Sequence, residues 1–149
     1  MISIYLDNCI LNRPFDDQTF ERIYLETQSF LILLKRIEDN QVMLSVSFAN
    51  RYEAEKINHK ERLEQINFYL DMANNFIDFD SEIETRAQSL NKIGFGAMDS
   101  LHLAAAEKAT VDYFVTCDDN LIKNARRQPN KVKINVITLH EMIELFYYA

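Results

Sequence analysis

Glycine and proline are scarce in this chain, two of each in 149 residues, which leaves little room for linkers or a low-complexity tail. Cysteine is equally scarce. The two thiols, Cys9 and Cys117, cannot build a disulfide framework, so a reducing cytoplasm is the expected setting. No apolar run approaches the length of a bilayer; the stretch Phe30 to Leu34 ends at once in Lys35 and Arg36, and no membrane association is expected. The N-terminus shows no basic region followed by an apolar one and a cleavage site, hence no secretory signal. Internal repeats are absent. What remains is one domain, residues 1–149, long enough to bury a core without staples.

Positive charge is also in short supply. A net charge of −7 argues against a protein that coats nucleic acid non-specifically. The deficit is uneven, however. Up to residue 119 there are 11 basic and 21 acidic residues; from residue 120 onward there are 5 basic and 2 acidic. Lys123, Arg126, Arg127, Lys131 and Lys133 follow one another with no acid between them. Such a strip is either a solvated loop and helix end or a phosphate-contacting surface.

Strand and helix patterns alternate. Ile2 to Leu6 reads as a β-strand that stops at Asp7. Pro14 breaks the chain, and Asp16 and Asp17 carry a helix N-cap signal. From Thr19 to Asn40, Phe20, Ile23, Tyr24, Phe30, Leu31, Leu34 and Ile37 recur at helical spacing. Val42 to Val46 is a second buried strand. The charged helix after Ser47 breaks near Asn58 and His59 and resumes through Met72. Phe76 to Phe79 reads as a small strand, and Ser81 with Glu84 stands in capping-box spacing for a helix to about Lys92. The only glycines, Gly94 and Gly96, bracket the approach to the helix that Asp99 opens. Asp112 to Thr116 is a strand, a short helix starts near Asn120, Ile134 to Ile137 is a further strand, and Thr138 with Glu141 caps the last helix. Alternation of this kind predicts an α/β fold, a central parallel sheet with helices on both faces in three Rossmann-like layers.

In such folds sites collect at the carboxyl ends of the strands. Asp7 follows the first strand directly, and Asp118 lies just past the strand that ends at Thr116. Asp99 stands in the first turn of its helix, where the dipole alone would also favour an acid. Glu53 and Glu55, two apart on the helix after the second strand, point to different sides; Glu53, nearer the strand end, is the fourth candidate. Acids gathered in one crevice need a cation to stay ionised. An all-oxygen set favours Mg²⁺ or Mn²⁺ over zinc.

The blocks YLDN with CILNRPFDD behind it, a glutamate on the helix after the second strand, DSLHLAAA and FVTCDDNL together resemble a PIN-domain nuclease. The resemblance spans nearly the whole chain and is strongest from Asp99 to Lys123. It implies a PIN-like fold and a Mg²⁺- or Mn²⁺-dependent endoribonuclease with an acid quartet, Asp7, Glu53, Asp99 and Asp118, as catalytic and metal-binding residues. It further implies the toxin half of a toxin–antitoxin pair of the VapC type, with RNA as substrate, a small antitoxin as partner and a homodimer as assembly. Thr116 matches the family's supporting threonine in its T-x-D block. Many relatives carry an additional acid near the third one; here Ser100 follows Asp99.

Several neighbours of these acids have two readings. Asp119 competes with Asp118 for the fourth position but suits helix capping equally. Asn8 assists binding or satisfies a turn. Arg13 contacts a phosphate or pairs with Asp16 or Asp17; with Lys123, Arg126 and Arg127 it makes up the candidate RNA-binding set. His102 shares a helix face with Asp99 as a ligand, a proton shuttle or, as is more common, a packed and hydrogen-bonded residue. Cys9 and Cys117 read as buried thiols. The terminal LFYYA and the long first helix expose more apolar residues than one face needs, enough for a dimer or antitoxin groove.

A receiver-type domain would need paired acids after the first strand, where Asn8 follows Asp7, and a phosphatase with an aspartyl nucleophile would need Asp where Cys9 stands. The remaining alternative is a weakly active or inactive PIN-like module that binds RNA or protein.

Overall fold

The structure, a computed structural model, describes residues 1–148. Of the terminal LFYYA, Ala149 and the Tyr148 side chain lie outside the described residues. Five strands form one parallel sheet: β1 (Ile2–Leu6), β2 (Val42–Ser47), β3 (Asn75–Ile77), β4 (Tyr113–Thr116) and β5 (Asn135–Thr138), in the order β3-β2-β1-β4-β5. The helices are α1 (Asn8–Asn12), α2 (Glu21–Glu38), α3 (Phe48–Ala54), α4 (Lys60–Asp71), α5 (Ser81–Lys92), α6 (Ala97–Ala109), α7 (Asp119–Arg127) and α8 (Leu139–Tyr148), with a 3-10 turn at Arg13–Phe15.

Alternation along the central strands divides the interior into two cores. Ile4, Leu6, Leu44, Val46 and Val115 face α2, α4 and α8, where Phe30, Leu33, Ile37, Ile66, Leu70 and Met142 meet them. Tyr5, Phe114 and Val136 face the other way, onto α5, α6 and α7. In α6 the run Leu103 to Ala106 is wholly buried, because small alanine side chains let the helix lie close to the sheet. The order matters for function. The chain steps outward from β1 to β2 and β3, then returns to the opposite side of β1 with β4. The carboxyl ends of β1 and β4 therefore flank the topological switch point, where a parallel sheet leaves a crevice.

The predicted elements appear with small shifts, including the break at Asn58 and His59 between α3 and α4. Three details differ. Asp16 and Asp17 do not cap α2: Asp17 Oδ1 accepts from the backbone and hydroxyl of Thr19, Asp16 pairs with Arg13, and Phe20 holds the cap position without a side-chain bond. Asp80 rather than Ser81 caps α5, accepting the Ile83 N–H at 2.9 Å. On α2 the buried stripe runs through Leu33, whereas Phe20, Tyr24 and Leu31 are exposed; one residue of offset on a helix turns a side chain by about 100°. The Thr138–Glu141 capping box forms as predicted, with bonds of 2.9 and 3.0 Å.

Gly94 ends α5 at φ +108°, and a Cβ there would meet Asn124 Nδ2 at 3.3 Å. Gly94→Ala should therefore destabilise the fold by about 1–2 kcal/mol, seen as a lower urea midpoint at unchanged slope. An unaltered midpoint would show that neither the φ angle nor the Asn124 contact constrains this turn.

Candidate metal centre

Asp7 is the N-cap of α1 and lies 6 % exposed at the end of β1, its backbone N–H bonded to Val115 O at 3.0 Å. Thr116, wholly buried at the end of β4, donates its hydroxyl to Asp7 Oδ2 at 2.8 Å. The hydroxyl oxygen of Thr116 in turn accepts the N–H of Asp118 at 3.1 Å. One threonine thus ties the acid of β1 to the acid that follows β4. Among the described residues no other donor reaches the Asp7 carboxylate.

Asp118 caps α7, its Oδ1 accepting from Asn120 and Leu121 N–H at 3.0 and 3.2 Å. Asp119 turns elsewhere. Arg22 from α2 grips both its oxygens at 2.7 and 2.9 Å and also donates to Cys117 O at 3.1 Å. Of the two adjacent acids, Asp119 is engaged by a guanidinium, while Asp118 keeps one oxygen that accepts no protein donor among the described residues.

Glu53 projects from α3 and is bonded through Oε1 to Nε2 of His102, a fully buried residue of α6. Single ligand atoms from Asp7, Glu53 and His102 lie within 4.8 Å of one another. Asp99, half-buried in the first turn of α6, feels the whole group. Burial, then Asp7 and Asp118, with Glu53 adding and the His102 ring opposing, raise its pKa to about 6. For His102, burial works against the imidazolium, yet the Glu53 bond and the charges of Asp7, Glu53 and Asp99 lift its pKa above the ordinary histidine value.

This donor set fits a divalent cation. A buried Asp7 with a single protein donor, an Asp99 pushed toward protonation by burial and by its acidic neighbours, and an Asp118 with an idle oxygen make no ion pair among the described residues. The oxygens suit Mg²⁺ or Mn²⁺.

A buried amide lattice stands behind the acids. Asn50 donates to Leu6 O at 3.0 Å and to Asn8 Oδ1 at 2.6 Å, and accepts the Ser47 N–H at 2.8 Å; Asn8 returns a bond to Asn50 O at 3.0 Å. Asn8 is thus a brace between α1 and α3 and points away from solvent. Tyr5 and Arg22 carried no sequence signal, because their partners lie 42 to 97 residues away; Asn50 stands three after Ser47 in capping-box spacing, and only its bonds to Leu6 and Asn8 were hidden by distance.

The basic candidates separate. Arg13 is consumed by Asp16 and Glu26 at 2.9 and 3.0 Å. Arg126 pairs with Glu141, whereas no acid pairs with the exposed Lys123 and Arg127 among the described residues. These three line an open groove of about 880 Å³ that also includes Asp119, Asn120, Asn124 and Gly94. Cys9 and Cys117 are neighbours, Sγ of Cys9 accepting the Cys117 N–H at 3.2 Å.

The chain is a parallel α/β protein of PIN-like fold, with Asp7 and Asp118 at the carboxyl ends of the strands that flank its switch point. The chain superimposes on a chain of the crystal structure of VapBC2 from Rickettsia felis bound to a DNA fragment from their promoter. The TM-score is 0.57 at 17 % identity, over 92 % of this chain and 98 % of that one. No family model matches the sequence, and no curated protein does. No helix among the described residues is long and apolar enough to cross a membrane.

An acid whose folded pKa lies above its unfolded value weakens the fold as pH rises between the two. Without metal, Asp99 should lower stability from about pH 4 to about pH 6 and add no further change above that. Asp99→Asn should then stabilise the metal-free protein by about 1–2 kcal/mol at pH 7.5, discounted for partial solvent access, and by nothing at pH 3.5. Thermal melts in chelator across this range test it; parallel profiles for the two proteins would refute the repulsion.

Proposed function

We propose that this chain is a divalent-metal-dependent endoribonuclease and the toxin of a toxin–antitoxin pair. The observation that carries the proposal is the place of Asp7 and Asp118 at the carboxyl ends of adjacent strands beside the sheet's switch point, with Glu53 close to Asp7 and the charges of Asp7, Asp118 and Glu53 adding to burial in raising the pKa of Asp99. The cation would be held by these four residues, some of them through water, as Mg²⁺ keeps much of its hydration. When bound, Mg²⁺ or Mn²⁺ supplies an activated water and neutralises charge developing on the phosphodiester.

The remaining work falls to the chain itself. Thr116 fixes the Asp7 carboxylate, leaving Oδ1 for the cation. The α7 amides hold one oxygen of Asp118 and leave the other for the centre. Lys123 and Arg127, free of acidic partners among the described residues, bind flanking phosphates, with Arg126 joining if it exchanges Glu141 for RNA. Arg13, already paired twice, serves the scaffold. The fold likeness to a chain of VapBC2 supports a cognate antitoxin, and exposed Phe20, Tyr24, Leu25, Leu31 and Ile32 on α2 offer apolar area for it or for a second copy of the chain.

Asp7→Asn and Asp99→Asn should each abolish Mg²⁺- or Mn²⁺-dependent cleavage of RNA while leaving the far-ultraviolet circular dichroism unchanged. A folded variant that cuts at the wild-type rate would eliminate that acid from the centre, and a wild type that binds but never cuts RNA would favour a non-catalytic module. Charge reversal at Lys123 and Arg127 together should weaken RNA binding and flatten its logarithmic salt slope by about 1.4, two single-strand phosphate contacts. An unchanged slope would return that surface to solvent.

A further inference from the structure

His102 reaches Glu53 across 49 positions of sequence and is itself fully buried. An ionised carboxylate only accepts, so the hydrogen of this bond sits on Nε2. On the opposite side of the ring, Nδ1 lies 2.7 Å from the Tyr5 hydroxyl, and that hydroxyl lies 2.6 Å from Ser47 Oγ. The directions follow. With Nε2 protonated, the neutral ring accepts at Nδ1 from Tyr5, and Tyr5 accepts from Ser47. Ser47 Oγ accepts the Ala49 N–H at 3.1 Å. Every hydrogen in the chain then has an acceptor. A second proton at Nδ1 would reverse both hydroxyls and still leave the Nε2 hydrogen on Glu53.

Packing fixes the same ring. The Tyr5 ring meets it edge-on with centroids 5.7 Å apart, and Tyr5 is stacked on Phe114 at 5.4 Å and 12°. Glu53 has no such support of its own. Its side chain is 32 % exposed on a seven-residue helix, and its rotamers are free to sample solvent without an anchor. Oε1 is anchored by His102, and Oε2 accepts no donor among the described residues.

We propose that His102 is a positioning residue of the metal centre. It holds Glu53 Oε1 by its Nε2 hydrogen and so presents Oε2 to the cation, while the Tyr5–Ser47 hydroxyls keep that hydrogen in place and prevent the nitrogen from becoming a ligand. The proposal rests on the reading of the acid cluster as a metal site. Its consequence is ionic selectivity. A nitrogen ligand would draw the site toward zinc and similar ions, whereas a nitrogen that donates leaves an all-oxygen set for Mg²⁺ or Mn²⁺.

The test is Mn²⁺ binding to the full chain by calorimetry, for wild type, His102→Ala, His102→Gln and Tyr5→Phe, with electron spin-echo spectra of the Mn²⁺-loaded wild type. His102→Ala should weaken Mn²⁺ binding by roughly 10- to 100-fold, the usual loss when a ligand loses its orienting partner. His102→Gln, whose amide N–H stands near the position of Nε2, should recover most of that loss. Tyr5→Phe should narrow the gap between Mn²⁺ and Zn²⁺ affinities, since the ring is then free to expose a lone pair. The wild-type spectra should show no directly bound nitrogen, a result that requires no variant to fold. Wild-type affinity in a folded His102→Ala, no recovery in a folded His102→Gln, or a directly bound nitrogen would each overturn the proposal. A wild type that binds no Mn²⁺ would overturn the metal site as well, which separates the two failures.

Discussion

Repulsion among carboxylates governs this molecule. Asp7, Glu53, Asp99 and Asp118 come from four separate elements, and the charges of the other three add to burial in opposing the ionisation of Asp99. The fold holds them in place. Asp7 and Asp118 are set by adjacent strands whose register is locked from Ile4 opposite Tyr113 to Leu6 opposite Val115. Asp99 is carried on a helix whose alanines press it against the sheet, and Glu53 is tethered to a buried imidazole. The energy of folding is spent in part on keeping like charges together, and a cation that binds them returns some of it as stability.

Neutral polar groups do the holding. Thr116, Asn50, Asn8, Ser47 and Tyr5 are nearly or wholly buried, and each is satisfied by directional bonds to the backbone or to one another. Such groups cost little when fully paired and much when one partner is lost, so they constrain position without adding charge. The acids therefore differ in kind from the frame behind them. The frame is closed, and the acids retain unused oxygens.

Much of the architecture was legible in the residues. β1 was bounded to the residue because its apolar run starts at Ile2 and Asp7 stops it, and the break at Asn58 and His59 stood out because no apolar periodicity crosses it. Asp7 and Asp118 stood out as candidates because strand ends are recognisable and parallel sheets collect their sites there. Other features were hidden for physical reasons. α1 has only five residues, too few to show a period, and Asp80 outcompeted Ser81 as a cap by backbone geometry that sequence does not display. Arg22 and Asp119 are 97 positions apart, as are Tyr5 and His102. Pairings at that distance are products of the finished fold, and no local pattern announces them.

The ends of the sheet have a consequence for recognition. Its outermost strands are β3, three residues long, and β5, four residues long. Edges this short give an incoming strand few backbone groups to pair with, the same device by which sheets avoid fusing with one another. A protein that captures this one gains little by adding a strand. The surface left for recognition is the one formed by the side chains displayed on the helices, where shape and charge carry specificity.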